Sequence, residues 1–439
     1  MKKIDLLINA RWCLPMTADQ VILENHAIAV HEGHIVALLP QAEAKQQFAA
    51  TQIHDLTDHV LMPGLINNHG HSAMSLFRGL ADDLPLMRWL NDHIWPAEQK
   101  FVGDAFVEAG SALAIAEMIR GGTTTFSDMY FYPEATARVV DQSGIRASLG
   151  MVVIEFATSW ARDVNEYLHK GQALHDKYRH HPLITSNYAP HAPYTVTNKT
   201  LEQIIVNAEE LDVPIQMHIH ETASEINTSI EEYGERPLAR LKALGLLSPR
   251  LIAVHMTQLT PAEIEDCAQA GVHIAHCPES NLKLASGFCP VATLHNSGVN
   301  ITIGTDGAAS NNDLDMFSEM RQTALLAKAV SGDPCAVPAY QALQMATINA
   351  AKALGLEQIT GSLEISKAAD MIAVKLSDLE TQPFYDLPSQ LVYATGRDKV
   401  TDVWVAGKHL LKNRQLTTLD SQKILADARQ WASQIKANA

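Results

Sequence analysis

Between residue 61 and about residue 357, apolar positions fall into short runs separated by longer stretches of helical periodicity. Eight runs are rich in apolar and β-branched residues: LMPGLINNHGH, GTTTFSDM, RASLGMVV, LITSNYAPHA, VPIQMHIHE, LIAVHMTQL, VHIAHCPES and VNITIGTDG. Runs of this length bounded by turn residues read as strands buried on both faces. Between them lie amphipathic patterns such as DAFVEAGSALAIAEMIRGG, TLEQIIVNAEELD and TPAEIEDCAQAG. The last opens at Thr260 with Glu263 three residues on, a capping box, and stops at Gly271. Eight alternating strand–helix units predict an α/β fold, a (β/α)8 TIM-like barrel.

The ends of the chain follow a different rhythm. Residues 1–60 contain the short alternating strands IDLLINA, AIAVHEG and HIVALLP, the last two forming a hairpin that turns at Glu32-Gly33. After the barrel, ADMIAVKL and VTDVWVAGKHLL return to this pattern, and a last helix is expected from about Asp420 to Lys436. The expected organisation is a catalytic barrel over residues 61–357 and a small β-sandwich domain assembled from 1–60 and 358–439.

Composition narrows the partners. A formal net charge of −16 argues against the nucleic-acid backbone or an anionic membrane surface. The N-terminal MKKIDLLINARW starts with two lysines, faintly like a signal peptide, but Asp5 and Arg11 interrupt an apolar stretch too short for one, so none is expected there. No window reaches the ~18 apolar residues of a membrane span. The five cysteines are scattered and form no C-x-x-C pair, which predicts reduced thiols in a cytoplasmic protein.

Chemistry concentrates where such a barrel keeps it, at the C-terminal ends of the strands. There the sequence places His69 and His71, His191, then His218, His220 and Glu221, then His255, His276 and Asp306. Residues i and i+2 of a strand share a side, so His69 and His71 can aim two imidazoles at one point. A catalytic zinc wants three or four nitrogen or oxygen ligands and an open position for water. A third histidine must come from another strand, and Asp306 can add an oxygen. On the fifth strand the spacing allows either His218 or His220, which share a face.

Taken in order, PGLINNHGHS, HIHET, AVHMTQL, CPESNLKLASG and IGTDGAASNNDLDMFSEMR resemble the amidohydrolase superfamily. More narrowly, the chain resembles the 5-methylthioadenosine/S-adenosylhomocysteine deaminases, in the branch that also holds other aminohydrolases and triazine chlorohydrolases. The resemblance implies that His218, three residues before Glu221, is the ligand on the fifth strand, with His69, His71 and Asp306. His220 is left a packing or hydrogen-bonding role. Relatives with two metals use a carboxylated lysine on the fourth strand, and SNYAPHAPYT offers none, so one divalent ion is expected. Zinc suits a hydrolysis with this donor set, and Fe2+ can occupy the same ligands.

The implied reaction is hydrolytic deamination of a purine nucleoside at C6 by a metal-activated water. Asp306 takes the proton from the water, His255 orients it, and Glu221 protonates ring nitrogen N1. Glu98, in IWPAEQK, matches a carboxylate that binds ribose hydroxyls, and His191 matches a histidine near the ribose. The segment GHSAMSLFRGLADDLPLMRWLNDHIW, with Met74, Leu76, Phe77, Leu84, Leu86, Met87, Trp89 and Trp95, is either a lid over the 5′ substituent or a packed layer on the barrel. The alternatives are an aminohydrolase of guanine, a pterin or an s-triazine, and a catalytically silent scaffold. A homo-oligomer is implied by the relatives.

Overall fold

A computed structural model describes residues 1–438. Among the described residues, sixteen strands fall into two sheets of eight. The terminal strands are β1 (Lys2–Cys13), β2 (Leu23–His31), β3 (His34–Pro40) and β4 (Phe48–Pro63). The barrel strands are β5 (Leu65–Gly70), β6 (Thr123–Asp128), β7 (Arg146–Val153), β8 (Ile184–Pro190), β9 (Ile215–Ile219), β10 (Leu251–His255), β11 (His273–His276) and β12 (Asn300–Ile303). The chain returns to the terminal sheet with β13 (Met371–Lys375), β14 (Val400–Val405), β15 (Lys408–Lys412) and β16 (Gln415–Leu416).

Strands β5 to β12 lie side by side in sequence order, all parallel. The chain past β12 closes the ring on β5: the Asp306 N–H donates to the His69 carbonyl at 3.0 Å, and Asn68 Nδ2 to Thr302 Oγ1 at 2.7 Å. On the outward face of the strands, turned to the helical layer, Leu149, Met151, Met217, Ile219, Ala253, Ile274 and Ile301 are all buried. On the inward face, Asn68, Ser127, Ser148, Asn187, Gln216 and Thr302 are joined by hydrogen bonds.

The terminal sheet runs β16-β15-β14-β13-β4-β1-β2-β3, so strands from both ends of the chain share it. The β2–β3 hairpin turns at Glu32 (φ 50°) and Gly33 (φ 78°), the left-handed pair that suits strand twist. A buried Arg146–Asp370 ion pair at 2.8 Å ties β7 to this sheet.

One apolar run read as a single strand proves to be two. LMP completes β4, where Pro63 pairs with Met371 of β13, while LINNHG forms β5 of the barrel. Gly64 makes the crossing between sheets, because a Cβ there would stand 2.0 Å from the Thr124 hydroxyl.

The segment after β5 is a packed cap of short helices, Ser72–Phe77, Leu86–Trp89 and Trp95–Phe101, with one π-helical turn at Leu90–Ile94. Its Phe77 and Trp89 are buried with Phe106 and Val107. The C-terminal helix, Ser421–Asn438, reaches this cluster through Trp431, edge-on to Phe106 with ring centroids 5.2 Å apart. Among the described residues, no helix is long and apolar enough to cross a membrane.

Candidate active site

Strand geometry brings His69 to the barrel floor, fully buried on β5. His71 follows just beyond the strand, and the two imidazoles meet edge to face with centroids 4.8 Å apart. Both Nε2 atoms face Asp306 Oδ1, at 3.5 Å from His69 and 3.1 Å from His71. His218 of β9 adds its Nε2 at 3.2 Å from that of His69. His255, at the end of β10, stands close by, so that His69, His218 and His255 could also share an ion. Donors ligating one tetrahedral zinc at bond lengths of 2.0–2.1 Å lie about 3.3 Å apart. The His69–Asp306, His71–Asp306 and His69–His218 separations fit that spacing. The donors fall into two groups that share His69, one with His71 and Asp306 and one with His218 and His255.

The opposite edge of each ring is fixed by an acceptor. His69 Nδ1 faces Gln216 Oε1 at 3.0 Å, and His71 Nδ1 faces the Met129 carbonyl at 2.6 Å. His218 Nδ1 meets the His191 carbonyl at 2.8 Å, and His255 Nδ1 meets Asn281 Oδ1 at 2.9 Å. Oxygens of this kind require a proton on Nδ1, which leaves the Nε2 of His69, His218 and His255 as a lone pair aimed inward, the metal-binding tautomer. His71 Nε2 meets Asp306 and would give up its proton to a cation.

Asp306 is held as firmly. Its Oδ2 accepts hydrogen bonds from Ser280 at 2.6 Å and Ser310 at 2.9 Å, and its Oδ1 accepts the Gly307 N–H at 2.7 Å. Burial would raise this carboxyl, but bonds and charge from His69 and His71 hold it well below the ordinary range. In return, although burial opposes it, the bond and charge of Asp306 lift His71 to about 9.

Four residues at these strand ends have left-handed backbones: His220 (φ 54°), His255 (φ 74°), Met256 (φ 50°) and Asp306 (φ 60°). Such conformations are uncommon outside glycine and gather at functional sites. At His220 the consequence is direct. The strand alternation expected to put His218 and His220 on one face breaks, and His220 Nε2 turns away to accept the Leu238 N–H at 3.1 Å. His276 is buried apart from the cluster and has no ring-nitrogen partner.

Glu221 follows the turn and faces the same cavity, its Oε2 3.8 Å from His255 Nε2. Burial, with a smaller push from Asp306, raises its carboxyl to about 8. Its backbone N–H and that of His220 both donate to buried Glu225, at 2.8 and 2.9 Å. His191 also lines the cavity, its Nδ1 on the Thr195 hydroxyl at 2.9 Å. Burial lowers it to about 4. Glu98, on the capping helix, accepts a hydrogen bond from the Tyr130 hydroxyl at 2.7 Å. Burial raises this carboxyl to about 7, against the pull of that bond.

The cavity is about 620 Å³, and it brings together His71, His218, His255, Asp306, Glu221, His191 and Glu98. That is a fitting size for a small-molecule ligand.

A model of the amidohydrolase family matches residues 60–410. The chain belongs to the amidohydrolase family. Two 5-methylthioadenosine/S-adenosylhomocysteine deaminases are similar to it over nearly their whole length. The Teredinibacter turnerae protein is 49% identical, covering 99% of this chain and 98% of its own. The Saccharophagus degradans protein is 50% identical, covering 99% and 97%. The chain is also similar to the solved structure of an adenosine deaminase from Xanthomonas campestris with bound zinc, at 52% identity and a TM-score of 0.98, covering 99% of each chain. Like that fold, this amidohydrolase pairs a parallel eight-stranded barrel with a separate sheet from the chain ends.

The residues that orient this amidohydrolase's site were not singled out in the sequence. Gln216 had a signal, since it lies two residues before His218 on the same face of β9. Ser280 and Asn281 sit inside the CPESN motif. Tyr130 and Glu225 had none, because their partners are fixed only by folding.

Proposed function

We propose that the protein is a metal-dependent hydrolase that deaminates adenosine-type nucleosides, 5′-methylthioadenosine and S-adenosylhomocysteine being the class, to the inosyl product and ammonia. The observation that carries this reading is the gathering of His71, His218 and Asp306 around the Nε2 of His69, beside the buried carboxyl of Glu221. Names and identities of the relatives support it.

His69, His71, His218 and Asp306 would hold one divalent ion, zinc being the ion of the Xanthomonas relative. When bound, such an ion lowers the pKa of a water to about 7, so that it can attack at neutral pH. The side chains do the rest. Glu221, neutral at pH 7, gives its proton to purine N1, which makes C6 electrophilic. Asp306, kept ionised, accepts the proton of the attacking water. His255 offers its unprotonated Nε2 as acceptor and fixes the water's approach. Proton return to the exocyclic nitrogen then releases ammonia.

Glu98 is the acceptor for the ribose diol, with Tyr130 occupying one oxygen and leaving the other toward the cavity. His191, held neutral, faces the sugar. A carboxylate committed to a diol favours a nucleoside over a free base or an s-triazine, and the intact donor set speaks against a silent scaffold. Five free thiols, four of them buried, support a cytoplasmic setting.

The test is ammonia release from a purine nucleoside panel, with zinc-loaded and chelated protein. Release from guanine but from no adenosine-type nucleoside would reject the reading.

A further inference from the structure

The helix that carries Glu98, Trp95–Phe101, works with two faces. Trp95, Glu98 and Gln99, spaced i, i+3 and i+4, line the catalytic cavity. Ala97 turns the other way and is buried in an apolar cluster with Trp89, Leu90, Ile94 and Phe106. The Tyr130 hydroxyl fixes one oxygen of Glu98, and Tyr130 is buried in the same cluster. Where the carboxylate stands in the cavity therefore depends on what packs behind it.

The far side of that cluster is covered by the C-terminal helix, Ser421–Asn438. This helix comes from the terminal segment of the chain, yet it packs on the barrel helix Asp104–Arg120 and on the turn Ser72–Phe77. Trp431 and Ile435, four residues apart and so on one helical face, both join the cluster. Ile435 is buried, and the Trp431 ring meets Phe106 edge-on. Phe106 leans in turn on Phe77, with ring centroids 4.9 Å apart. Leu425, earlier on the same helix, is 43% exposed and takes no part in the cluster.

Resting on the reading of Glu98 as the ribose acceptor, we propose that Trp431 and Ile435 are positioning residues for sugar recognition. From outside the cavity they back the cluster on which the Glu98 helix sits, and so hold the carboxylate at its working depth. Interiors are close-packed, so truncating either side chain leaves a void into which the capping helices relax. A carboxylate bonded to a diol depends on short, directed hydrogen bonds, which such a shift weakens steeply. His69, His218 and Asp306 are anchored by the barrel instead, so the same shift spares the metal ligands.

The experiment compares kcat/KM of the zinc-loaded protein on 5′-methylthioadenosine and on its 2′,3′-dideoxy analogue. Hydrogen bonds from the diol to a carboxylate should favour the ribonucleoside at least about 10-fold in the wild type. Trp431→Ala and Ile435→Ala should each cut that ratio at least about 3-fold, through a higher KM for the ribonucleoside and with bound zinc unchanged. Trp431→Phe keeps an aromatic ring against Phe106 and should restore the ratio, and Leu425→Ala should leave it at the wild-type value. A merely structural role would weaken both nucleosides together. An unchanged ratio in the alanine variants overturns the proposal, and so does an equal fall in Leu425→Ala. Should Trp431→Ala fail to fold, Ile435→Ala decides by the same ratio. A wild type that does not prefer the ribonucleoside would sink the ribose role of Glu98 and this proposal with it. Failure of both nucleosides to release ammonia would sink the deaminase reading itself.

Discussion

The Nε2 atoms of His69 and His218 lie 3.2 Å apart, while the Nδ1 of each ring is fixed on an oxygen acceptor. Two inward lone pairs at that distance repel unless a cation lies between them. Metal and fold are therefore linked. Ligand at 1,000 times its Kd stabilises a native state by about 4 kcal/mol. Chelation should lower Tm by roughly 4–5 °C, and zinc should restore it. An identical Tm with and without chelator would contradict this ligand set.

Glu221 lies outside that set but faces the same cavity. Glu221→Gln keeps the shape and removes the transferable proton. Bound zinc should stay at the wild-type level while kcat falls by about 10²–10⁴-fold. Near-normal turnover would remove the acid role.

With Glu98 as the proposed ribose acceptor, sugar binding is expected to depend on pH. Its carboxyl is raised to about 7, so the diol acceptor is ionised above that value and progressively protonated below it. The KM for ribonucleosides should rise as pH falls through about 7. Tyr130 donates to the carboxylate and so opposes the rise in pKa. Tyr130→Phe should move the same KM increase to higher pH. A pH-independent KM in both proteins would take Glu98 out of the sugar site.

Arg146 and Asp370 form a buried pair between barrel and terminal sheet, with side chains 4% and 0% exposed. Removing one partner strands the other charge. Asp370→Ala should cost about 3–5 kcal/mol of stability, read by denaturant unfolding, because burying an unpaired ion is unfavourable. A loss below 1 kcal/mol would mean that the pair is dispensable to the packing.

Much of the architecture was legible without coordinates. Eight buried runs alternating with amphipathic segments are enough for the barrel, because period and length are local properties of a chain. The histidines and acids at the run ends were legible for the same reason, since a barrel gathers those ends at one mouth. Other features needed the fold. Nothing local could reveal that Gly64 splits one apolar run between two sheets, for the constraint is Thr124, 60 residues away in sequence and touching in space. The parting of His218 from His220 depends on one left-handed residue that strand alternation does not anticipate. The tautomers rest on Gln216, Asn281 and two carbonyls that reach their rings only when the barrel closes. Residue types and periodicity, which the chain carries locally, determined which groups were available. Hydrogen bonds between distant segments decided where each proton sits, and they exist only in the closed structure.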